Sequence, residues 1–534
     1  MSLGAMQDFP LRIMRLMDHA EREHGGREIV SARADGSVHR TNWGEVADRS
    51  RRLAQALVRM GVQPGERVAT LAMNHDRHLV AWFGVVGMGG VLHTLNPRLF
   101  DDQLTYIVNH AEDRVLLYDK AFAPMVERMK GEWTSVRQFV CFDDEFDALL
   151  AAEDGKYRWH EGDERDPCGL CYTSGTTGNP KGVLYEHRST VLHAMSVVVP
   201  DIFDVSARSV MLPVVPMFHA NSWCIPYAAP LVGFKLVLCA DNRPEHLCEL
   251  FKQEDVTHSA GVPTVWLGII DHVEETGASL GKLATIIVGG SSAPPATIRW
   301  FRERGIRVNH LWGMTEMTPV GTVGAPPANW DSMSDEEQVD YLARPGRSMF
   351  GVELRVVDEA GKVLPRDGVS SGHLQTRGAA VVRRYFKKDE DCVDADNWFD
   401  TGDIAVIHPD NTLRLTDRAK DVIKSGGEWI SSIELENAAV GCPGVAEAAA
   451  IGIPHPKWDE RPLLLVVRDE GSDIGAVEVR GYLSGQVAKW WLPDAIEFVD
   501  ELPHTGSGKL SKKDLRDKYR DYRFADTEAV VGRD

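Results

Sequence analysis

One stretch of the chain combines hydroxyl groups, glycines and a lysine in a way that could hold a polyphosphate. The apolar run from Gly169 to Tyr172 predicts a buried strand, which leads into Thr173-Ser174-Gly175-Thr176-Thr177-Gly178-Asn179-Pro180-Lys181-Gly182. Glycines let backbone N–H groups approach a phosphate, hydroxyls donate further hydrogen bonds, and Lys181 adds a positive charge. The stretch is not a Walker A loop, because Pro180 precedes the lysine and Gly182 follows it. A plain surface turn is the weaker alternative, since the run is unbroken and bounded by a strand and a lysine.

The residues from Thr173 to Gly182 resemble the signature of the adenylate-forming enzymes. This superfamily includes acyl-CoA synthetases, peptide-synthetase adenylation domains and beetle luciferases. Further matching motifs follow in order along nearly the whole chain. The resemblance implies that ATP is bound and that its β- and γ-phosphates are tracked by Thr173, Ser174, Gly175, Thr176, Thr177 and Lys181.

A second motif, Leu311-Trp312-Gly313-Met314-Thr315-Glu316, resembles the family's aromatic-Gly-x-Thr-Glu motif. Trp312 stands where many members have tyrosine; its aromatic face can still stack on adenine, although a phenolic contact is lost. The resemblance implies that Thr315 donates a hydrogen bond to the α-phosphate. It also implies that Glu316 offers a hard oxygen to Mg²⁺.

Three further segments complete the implied nucleotide site. Asp403, in a Thr-Gly-Asp turn, would accept hydrogen bonds from the ribose hydroxyls, and Arg418 would bridge ribose and phosphate. A glycine-rich strand exit lets a flat ring lie against bare backbone. The family's loop at this position borders adenine and the acyl channel, and here it comprises Gly289, Gly290, Ser291, Ser292, Ala293 and Pro294.

The residues implied for the remaining chemistry lie near the C-terminus. Lys420 stands where relatives place a hinge between two domains, although a charged residue there can equally be plain surface. The segment that includes Gly426, Gly427, Glu428 and Trp429 resembles medium-chain fatty acyl-CoA synthetases, in which it faces the active site during thioester formation with CoA. Lys509 resembles the family's catalytic lysine, and Gly506 and Gly508 make a flexible arm before it.

The acyl group is expected to lie beside an apolar stretch that contains a histidine. A lone histidine in such a run is usually a satisfied core residue, but the resemblance extends to its neighbours and implies that His219 lines the acyl site. If the stretch is helical, Trp223 lies on the same face as His219. It either gates the acyl tunnel, as in similar fatty acyl-CoA synthetases, or is a core aromatic. Pocket depth would depend on Trp223, on the stretch from Val262 to Trp266 and on Met314.

The elements that must position these residues alternate between strands and helices. Apolar runs at 68–72, 115–118, 139–142, 210–213, 235–238, 285–288 and 308–312 predict strands separated by helical stretches, which favours largely parallel sheets covered by helices. Residues 345–415 have the short alternating runs of a small β-rich subdomain. We therefore predict an α/β fold with an N-terminal domain over 1–419, including that subdomain, and a mobile, smaller α+β domain over 420–534.

The composition narrows the possible partners and location. The chain of 534 residues carries a formal net charge of −20, which argues against nucleic acid or an anionic membrane as the main partner. No apolar run reaches the length of a membrane span, and the N-terminus lacks the pattern of a signal peptide. Eight scattered cysteines favour reduced thiols and a cytoplasmic location. Related enzymes are often dimers, and the composition neither supports nor opposes a homodimer.

Together these motifs imply an acid–thiol ligase that forms AMP. ATP would activate a carboxylic acid as acyl-AMP, and CoA would then displace AMP. The expected acid is a short- to medium-chain fatty acid or 3-methylmercaptopropionate, because several N-terminal stretches resemble the corresponding ligases. Three alternatives remain: a luciferase-like oxygenase, an adenylation domain that loads a separate carrier protein, and a non-catalytic nucleotide-binding protein.

Overall fold

The computed structural model describes residues 4–173, 179–426, 428–504 and 510–524. Contacts divide the chain into two compact units. The first comprises Met1–Glu353 and Arg377–Phe399, and the second comprises Leu354–Thr376 and Asp400–Asp534. Each unit has hydrophobic cores of its own.

The helices of the first unit cover its sheets with their apolar faces. The helix Trp43–Arg59 begins after Asn42, whose side chain accepts a hydrogen bond from Glu45 N–H at 2.9 Å and caps the helix. The helices of this unit are α1 Ile13–His24, α2 Trp43–Arg59, α3 Asp76–Gly87, α4 Asp101–Ala111, α5 Ala123–Met129, α6 Phe146–Ala151, α7 His187–Val197, α8 Ile225–Val232, α9 Pro244–Gln253, α10 Pro263–Thr276, α11 Pro295–Glu303 and α12 Asp335–Ala343.

Most strands of the first unit are short, buried apolar runs, as expected for sheets covered on both faces, whereas Val38–Asn42 and Arg347–Ser348 at the sheet edges are polar and more exposed. They are β1 Glu28–Ala32, β2 Val38–Asn42, β3 Arg67–Leu71, β4 Val91–Thr94, β5 Val115–Tyr118, β6 Gln138–Cys141, β7 Pro167–Tyr172, β8 Gly182–Glu186, β9 Val210–Pro213, β10 Lys235–Cys239, β11 His258–Gly261, β12 Thr285–Val288, β13 Arg307–Gly313, β14 Val320–Gly324 and β15 Arg347–Ser348.

These strands form two mainly parallel sheets. A six-stranded sheet has the order β6-β5-β3-β4-β7-β8, and only the edge pair β7–β8 is antiparallel. A nine-stranded sheet has the order β15-β14-β13-β12-β11-β9-β10-β1-β2, with antiparallel pairs only at its two ends. The predicted α/β class with parallel sheets is confirmed.

The second unit is built around two smaller sheets. Its elements are β16 Val352–Val357, β17 Gly372–Gly378, β18 Phe399–Ile407, β19 Leu413–Arg418, β20 Ile423–Ser425, β21 Glu428–Ile430, α13 Ser432–Val440, β22 Val445–His455, β23 Asp459–Arg468, α14 Ala476–Leu483, β24 Ala495–Phe498 and α15 Lys512–Lys518. The two sheets have the orders β16-β17-β18-β19 and β21-β20-β23-β22, and β24 pairs in parallel with β23.

The structure divides the β-rich segment differently from the domain boundaries predicted from the sequence. Residues 354–376 and 400–415 belong with the C-terminal segment, whereas the sequence placed all of 345–415 in the N-terminal domain. Buried polar contacts give the reason, because Asp417 on β19 accepts hydrogen bonds from the backbone and hydroxyl of Ser432 on α13, both at 2.6 Å. Strand β19 belongs to the sheet of β16, β17 and β18, so this contact joins the β-rich segment to helix α13. Within the C-terminal segment, Lys512 on α15 pairs with Glu436 on α13 at 2.8 Å. The boundary at 419/420, where the resemblance places a hinge, stays a prediction.

The eight cysteines are all free thiols, and seven of them are buried. Cys168 and Cys171 are 1% and 3% exposed, as expected for small core residues beside the phosphate loop. Burial raises the pKa of Cys168 to about 12 and raises that of Cys171 as well. Within the described residues, no helix is both long enough and apolar enough to cross a membrane.

Candidate active site

The predicted phosphate loop joins two paired strands. Tyr172 on β7 lies opposite Gly182 on β8, and Thr173 N–H donates to the carbonyl of Lys181 at 2.9 Å. The strand pairing thus continues up to both ends of the loop and holds Thr173 beside Lys181. Ser174, Gly175, Thr176 and Thr177 lie outside the described residues.

The carboxylate predicted to bind Mg²⁺ is close to the lysine of that loop. Glu316 is only 7% exposed, and its Oε1 accepts a hydrogen bond from the Tyr385 hydroxyl at 2.9 Å. The ammonium of Lys181 lies over the ring of the same tyrosine, 4.9 Å from its centroid. The structure therefore brings Lys181 and Glu316 together around Tyr385, a residue that the sequence analysis missed.

A second tyrosine, also missed, holds the main chain of the Thr315-Glu316 turn. Thr315–Met317 forms one short 3-10 turn directly after β13. Tyr185 on β8 is buried, and its hydroxyl donates to the carbonyl of Thr315 at 2.7 Å. Burial raises the pKa of Tyr185 well above its usual range, so the phenol stays protonated and remains a donor. The strand that leaves the phosphate loop thus fixes the turn that carries the implied α-phosphate donor.

His193 on α7 supports the strand that follows the same turn. Its Nε2 accepts a hydrogen bond from Val320 N–H on β14 at 3.3 Å, which requires an unprotonated nitrogen. The side chain is fully buried, and this burial lowers its pKa to about 3.

Protonation of His193 is expected to destabilise the first unit in mild acid. The folded-state pKa of His193 is below the unfolded value of 6.5. The free energy of unfolding is therefore highest above pH 6.5 and decreases as the pH falls towards 3. From pH 7 to pH 5 the loss amounts to about 2 kcal/mol. When urea unfolding is measured at both pH values, the free energy of unfolding of His193→Gln should depend less on pH than that of the wild type. The control His272→Gln, at a partly exposed position on α10, should keep the wild-type dependence, and equal losses in all three proteins would contradict the assignment.

The loop predicted to border adenine lies against the other motif. A Cβ at Gly289 would collide with Leu311 and would lie 3.2 Å from the Trp223 ring, so only glycine fits between them. Gly290 and Ser291 are exposed, Ser292 and Pro294 are partly exposed, and Ala293 is buried. Trp312 is 6% exposed, and Gly313 and Met314 beside it are partly exposed. The loop, the aromatic motif and Trp223 are therefore neighbours.

The segment after His219 is not a right-handed helix. The predicted shared face of His219 and Trp223 required such a helix. Residues from Ala220 to Cys224 all have positive φ, between 44° and 68°, and form a left-handed turn. The Ser222 hydroxyl donates to the carbonyl of Val215 at 2.9 Å and helps to hold this conformation. His219 itself is partly exposed and Trp223 is 7% exposed. A face shared through helical spacing is therefore the wrong description of this pair.

The remaining residues predicted to line the acyl pocket differ in their burial. Trp266 is wholly buried, donates to the Gly261 carbonyl at 3.1 Å and packs edge-on against Phe301 in the core. Val262 precedes α10 and is partly exposed. These contacts are those of a core tryptophan, and a role for Trp266 and Val262 in the acyl pocket stays a prediction.

In the second unit, the two residues predicted to bind ribose are paired. Asp403 on β18 lies opposite Arg418 on β19, and their side chains form an ion pair at 2.8 Å. Asp403 is 3% exposed, whereas the Arg418 side chain is 43% exposed and can reach a ligand. The ion pair brings the two residues together, and their binding of ribose stays a prediction.

The described residues among those predicted for the thioester step lie in or near β20 and β21. Lys420 is exposed, Gly426 has φ +62° and donates to the Trp458 carbonyl at 2.7 Å, and Glu428 begins β21. Trp429 is partly exposed, with His373 edge-on at 6.4 Å. Gly427 and Lys509 lie outside the described residues.

The donor set suits a cation that arrives with a nucleotide. Within the part of the chain that the structure describes, no group of three or more His, Cys, Asp or Glu side chains could hold a metal ion. Mg²⁺ typically binds through one or two carboxylates together with substrate phosphates, rather than in an all-protein cage. The buried carboxylate of Glu316, close to a lysine that could meet phosphates, fits that arrangement.

Comparison with known proteins identifies the family to which the chain belongs. The pattern of the AMP-binding enzyme family matches residues 17–386, and that of its C-terminal domain matches residues 434–509. A 3-methylmercaptopropionyl-CoA ligase of Ruegeria lacuscaerulensis is 46% identical over 97% of this chain and 99% of its own length. A medium-chain-fatty-acid–CoA ligase of Ectopseudomonas oleovorans is 45% identical over 99% of this chain and 100% of its own length.

Solved structures support the same assignment. ATP-bound MatB from Rhodopseudomonas palustris has a TM-score of 0.83 and 26% identity, and the match covers 96% of this chain and 99% of that one. The anthranilate CoA ligase AuaEII, with anthranoyl-AMP, shares the fold with a TM-score of 0.86 at 21% identity, over 96% of this chain and 99% of its own. The resemblance inferred from the motifs is confirmed: the chain belongs to the AMP-binding enzyme family, as an adenylate-forming acyl-CoA synthetase.

Proposed function

We propose that this protein couples a carboxylic acid to CoA through an acyl-AMP intermediate, releasing pyrophosphate and AMP. The observation that carries the proposal is the meeting of Lys181 and Glu316 around Tyr385 within one unit. The triphosphate of a bound ATP requires a positive charge and a divalent cation. The lysine can bind phosphate, and the buried carboxylate can bind the cation.

The first half-reaction gives the acyl group a good leaving group, AMP, in place of the poor leaving group of a free carboxylate. The substrate carboxylate attacks the α-phosphate of ATP, and pyrophosphate leaves. Negative charge grows on the α-phosphate, and Thr315 and Lys509 would stabilise it, as the resemblance implies. Glu316 would hold Mg²⁺, which neutralises phosphate charge when it is bound. Thr173 and Lys181, at the two ends of the phosphate loop, would orient the β- and γ-phosphates.

The second half-reaction needs different groups around the same acyl carbon. The thiolate of CoA attacks that carbon, and AMP leaves with the electron pair of the broken C–O bond. The segment from Gly426 to Trp429 is the proposed thioester-step surface, and rotation about Lys420 would present it. Asp403 and Arg418 would hold the ribose of the nucleotide.

The proposed acid is a short- to medium-chain fatty acid or 3-methylmercaptopropionate. Two relatives of nearly equal identity, 46% and 45%, act on these two kinds of acid, so similarity alone does not separate them. Trp223 lies beside Gly289, where its ring could limit the length of an acyl chain. His219 is the proposed polar neighbour of the acyl carbon. A homodimer and a cytoplasmic location stay predictions.

Pyrophosphate release with a series of acids tests the proposal. Straight-chain acids from acetate to palmitate and 3-methylmercaptopropionate are each supplied with ATP and Mg²⁺, with and without CoA. We expect a burst of pyrophosphate without CoA and sustained turnover to acyl-CoA with it. Light or CO₂ release that depends on oxygen would indicate a luciferase-like oxygenase. Turnover only with a phosphopantetheinylated carrier protein would indicate a carrier-loading enzyme.

A further inference from the structure

One short segment, residues 380–386, connects the phosphate loop to the Thr315-Glu316 turn. The Thr318 hydroxyl donates to the Ala380 carbonyl at 2.8 Å, and Val382 N–H donates to the Glu316 carbonyl at 2.7 Å. At its other end, Phe386 N–H donates to the carbonyl of Gly182, next to Lys181, at 2.8 Å. Backbone hydrogen bonds thus fix the segment at both motifs.

Tyr385 lies in the part of this segment that faces both charges. Its hydroxyl donates to Glu316 Oε1 at 2.9 Å, and the Lys181 ammonium lies 4.9 Å from its ring centroid, within the range of a cation–π contact. Burial, with the charge of Glu316, raises the pKa of Tyr385 above its usual range, so the phenol remains a donor.

We propose that Tyr385 is a positioning residue that orients the Glu316 carboxylate towards the divalent cation of a bound nucleotide. Its ring, in addition, keeps the Lys181 ammonium beside the triphosphate. The proposal rests on the proposed function, because it assumes that Glu316 meets the cation of ATP.

The physical argument concerns the last torsion of glutamate. That torsion is broad and roughly two-fold, so an untethered carboxylate spreads its oxygens over many directions. A hydrogen bond from a phenol to an ionised carboxylate is charge-assisted, and it restricts Oε1 to one position. Oε2 is then held in a defined direction, from which a cation can be bound without a further ordering cost.

Two variants separate the effect of the Tyr385 hydroxyl from the effect of its ring. Tyr385→Phe removes the donor to Glu316 but keeps the face below Lys181, whereas Tyr385→Leu removes both. Mn²⁺ replaces Mg²⁺ as a paramagnetic probe, and its binding is followed by electron paramagnetic resonance with α,β-methylene ATP, which is not cleaved at the α-phosphate. Affinity for the same nucleotide in EDTA is measured by calorimetry.

We expect Tyr385→Phe to weaken Mn²⁺ binding about tenfold, the effect of losing one charge-assisted hydrogen bond, with metal-free nucleotide binding unchanged. Tyr385→Leu should weaken both. The matched control is Tyr522→Phe, which removes a phenol that donates to the carboxylate of Glu497 at 3.0 Å in the second unit and should leave Mn²⁺ affinity unchanged. Mn²⁺ affinity that falls equally in Tyr522→Phe and Tyr385→Phe would show a general structural effect and overturn the inference.

Glu316→Gln distinguishes failure of this inference from failure of the proposed function. If Glu316→Gln weakens Mn²⁺ binding and Tyr385→Phe does not, the positioning role of Tyr385 is wrong while the metal role of Glu316 stands. If Glu316→Gln binds Mn²⁺ and nucleotide as the wild type does, the assignment of the cation to Glu316 is wrong.

Discussion

Replacement of Lys509 by alanine is expected to slow acyl-AMP formation by about 10²–10³-fold, because a positioned cation no longer meets the charge that develops on the α-phosphate. Conversion of supplied acyl-AMP and CoA into thioester should continue at nearly the wild-type rate, since that bond change occurs at the acyl carbon and the resemblance implies that Lys509 has by then left the site. This division between half-reactions follows from the two conformations implied by the resemblance.

The two half-reactions are measured separately to test this expectation. Pyrophosphate release in single-turnover experiments reports the first, and acyl-CoA formation from synthetic acyl-AMP reports the second. Lys513→Ala is the matched control, because Lys513 is exposed on α15 and its loss removes the same charge four residues away. Equal losses in both half-reactions for Lys509→Ala would contradict the two-conformation assignment.

The Glu316→Gln variant is expected to lower the rate of acyl-AMP formation by about 10²-fold at physiological Mg²⁺. Glutamine keeps the size of the side chain and an oxygen that can accept from Tyr385, but it lacks the negative charge that attracts a cation. Part of the activity should return as the Mg²⁺ concentration rises, because the cation can still be carried by the nucleotide phosphates.

The measurement is pyrophosphate release as a function of Mg²⁺ at saturating ATP. Glu303→Gln, on the exposed C-terminal end of α11, removes the same charge outside the site and should behave as the wild type. A Glu316→Gln enzyme with wild-type rates at every Mg²⁺ concentration would remove Glu316 from the proposed mechanism.

Motifs formed by neighbouring residues could be predicted from the sequence because their chemistry is local. The strands at 115–118, 210–213 and 285–288 occur at the predicted positions, since each is a continuous apolar run that parallel sheets bury on both faces. The pairing of Asp403 with Arg418 brings together two residues that the resemblance had already placed in one site.

Other features depend on contacts that a linear sequence does not display. Tyr385 reaches Glu316 across 69 positions, and nothing in its own neighbourhood indicates a carboxylate partner. The left-handed turn from Ala220 to Cys224 contains no glycine, the usual signal for positive φ, so helical spacing was the wrong basis for comparing His219 with Trp223. The grouping of 354–376 with the C-terminal segment likewise depends on distant contacts such as that of Asp417 with Ser432.

The buried thiols make the protein well suited to site-specific fluorescence labelling. Maleimide dyes react with accessible thiolates, and burial keeps seven of the eight native cysteines both protonated and shielded. Only Cys392 is partly accessible, so a single Cys392→Ser change would give a nearly silent background. Dyes attached to one new surface cysteine in each unit could then follow energy transfer during turnover, and the predicted domain rotation could be timed against pyrophosphate and AMP release.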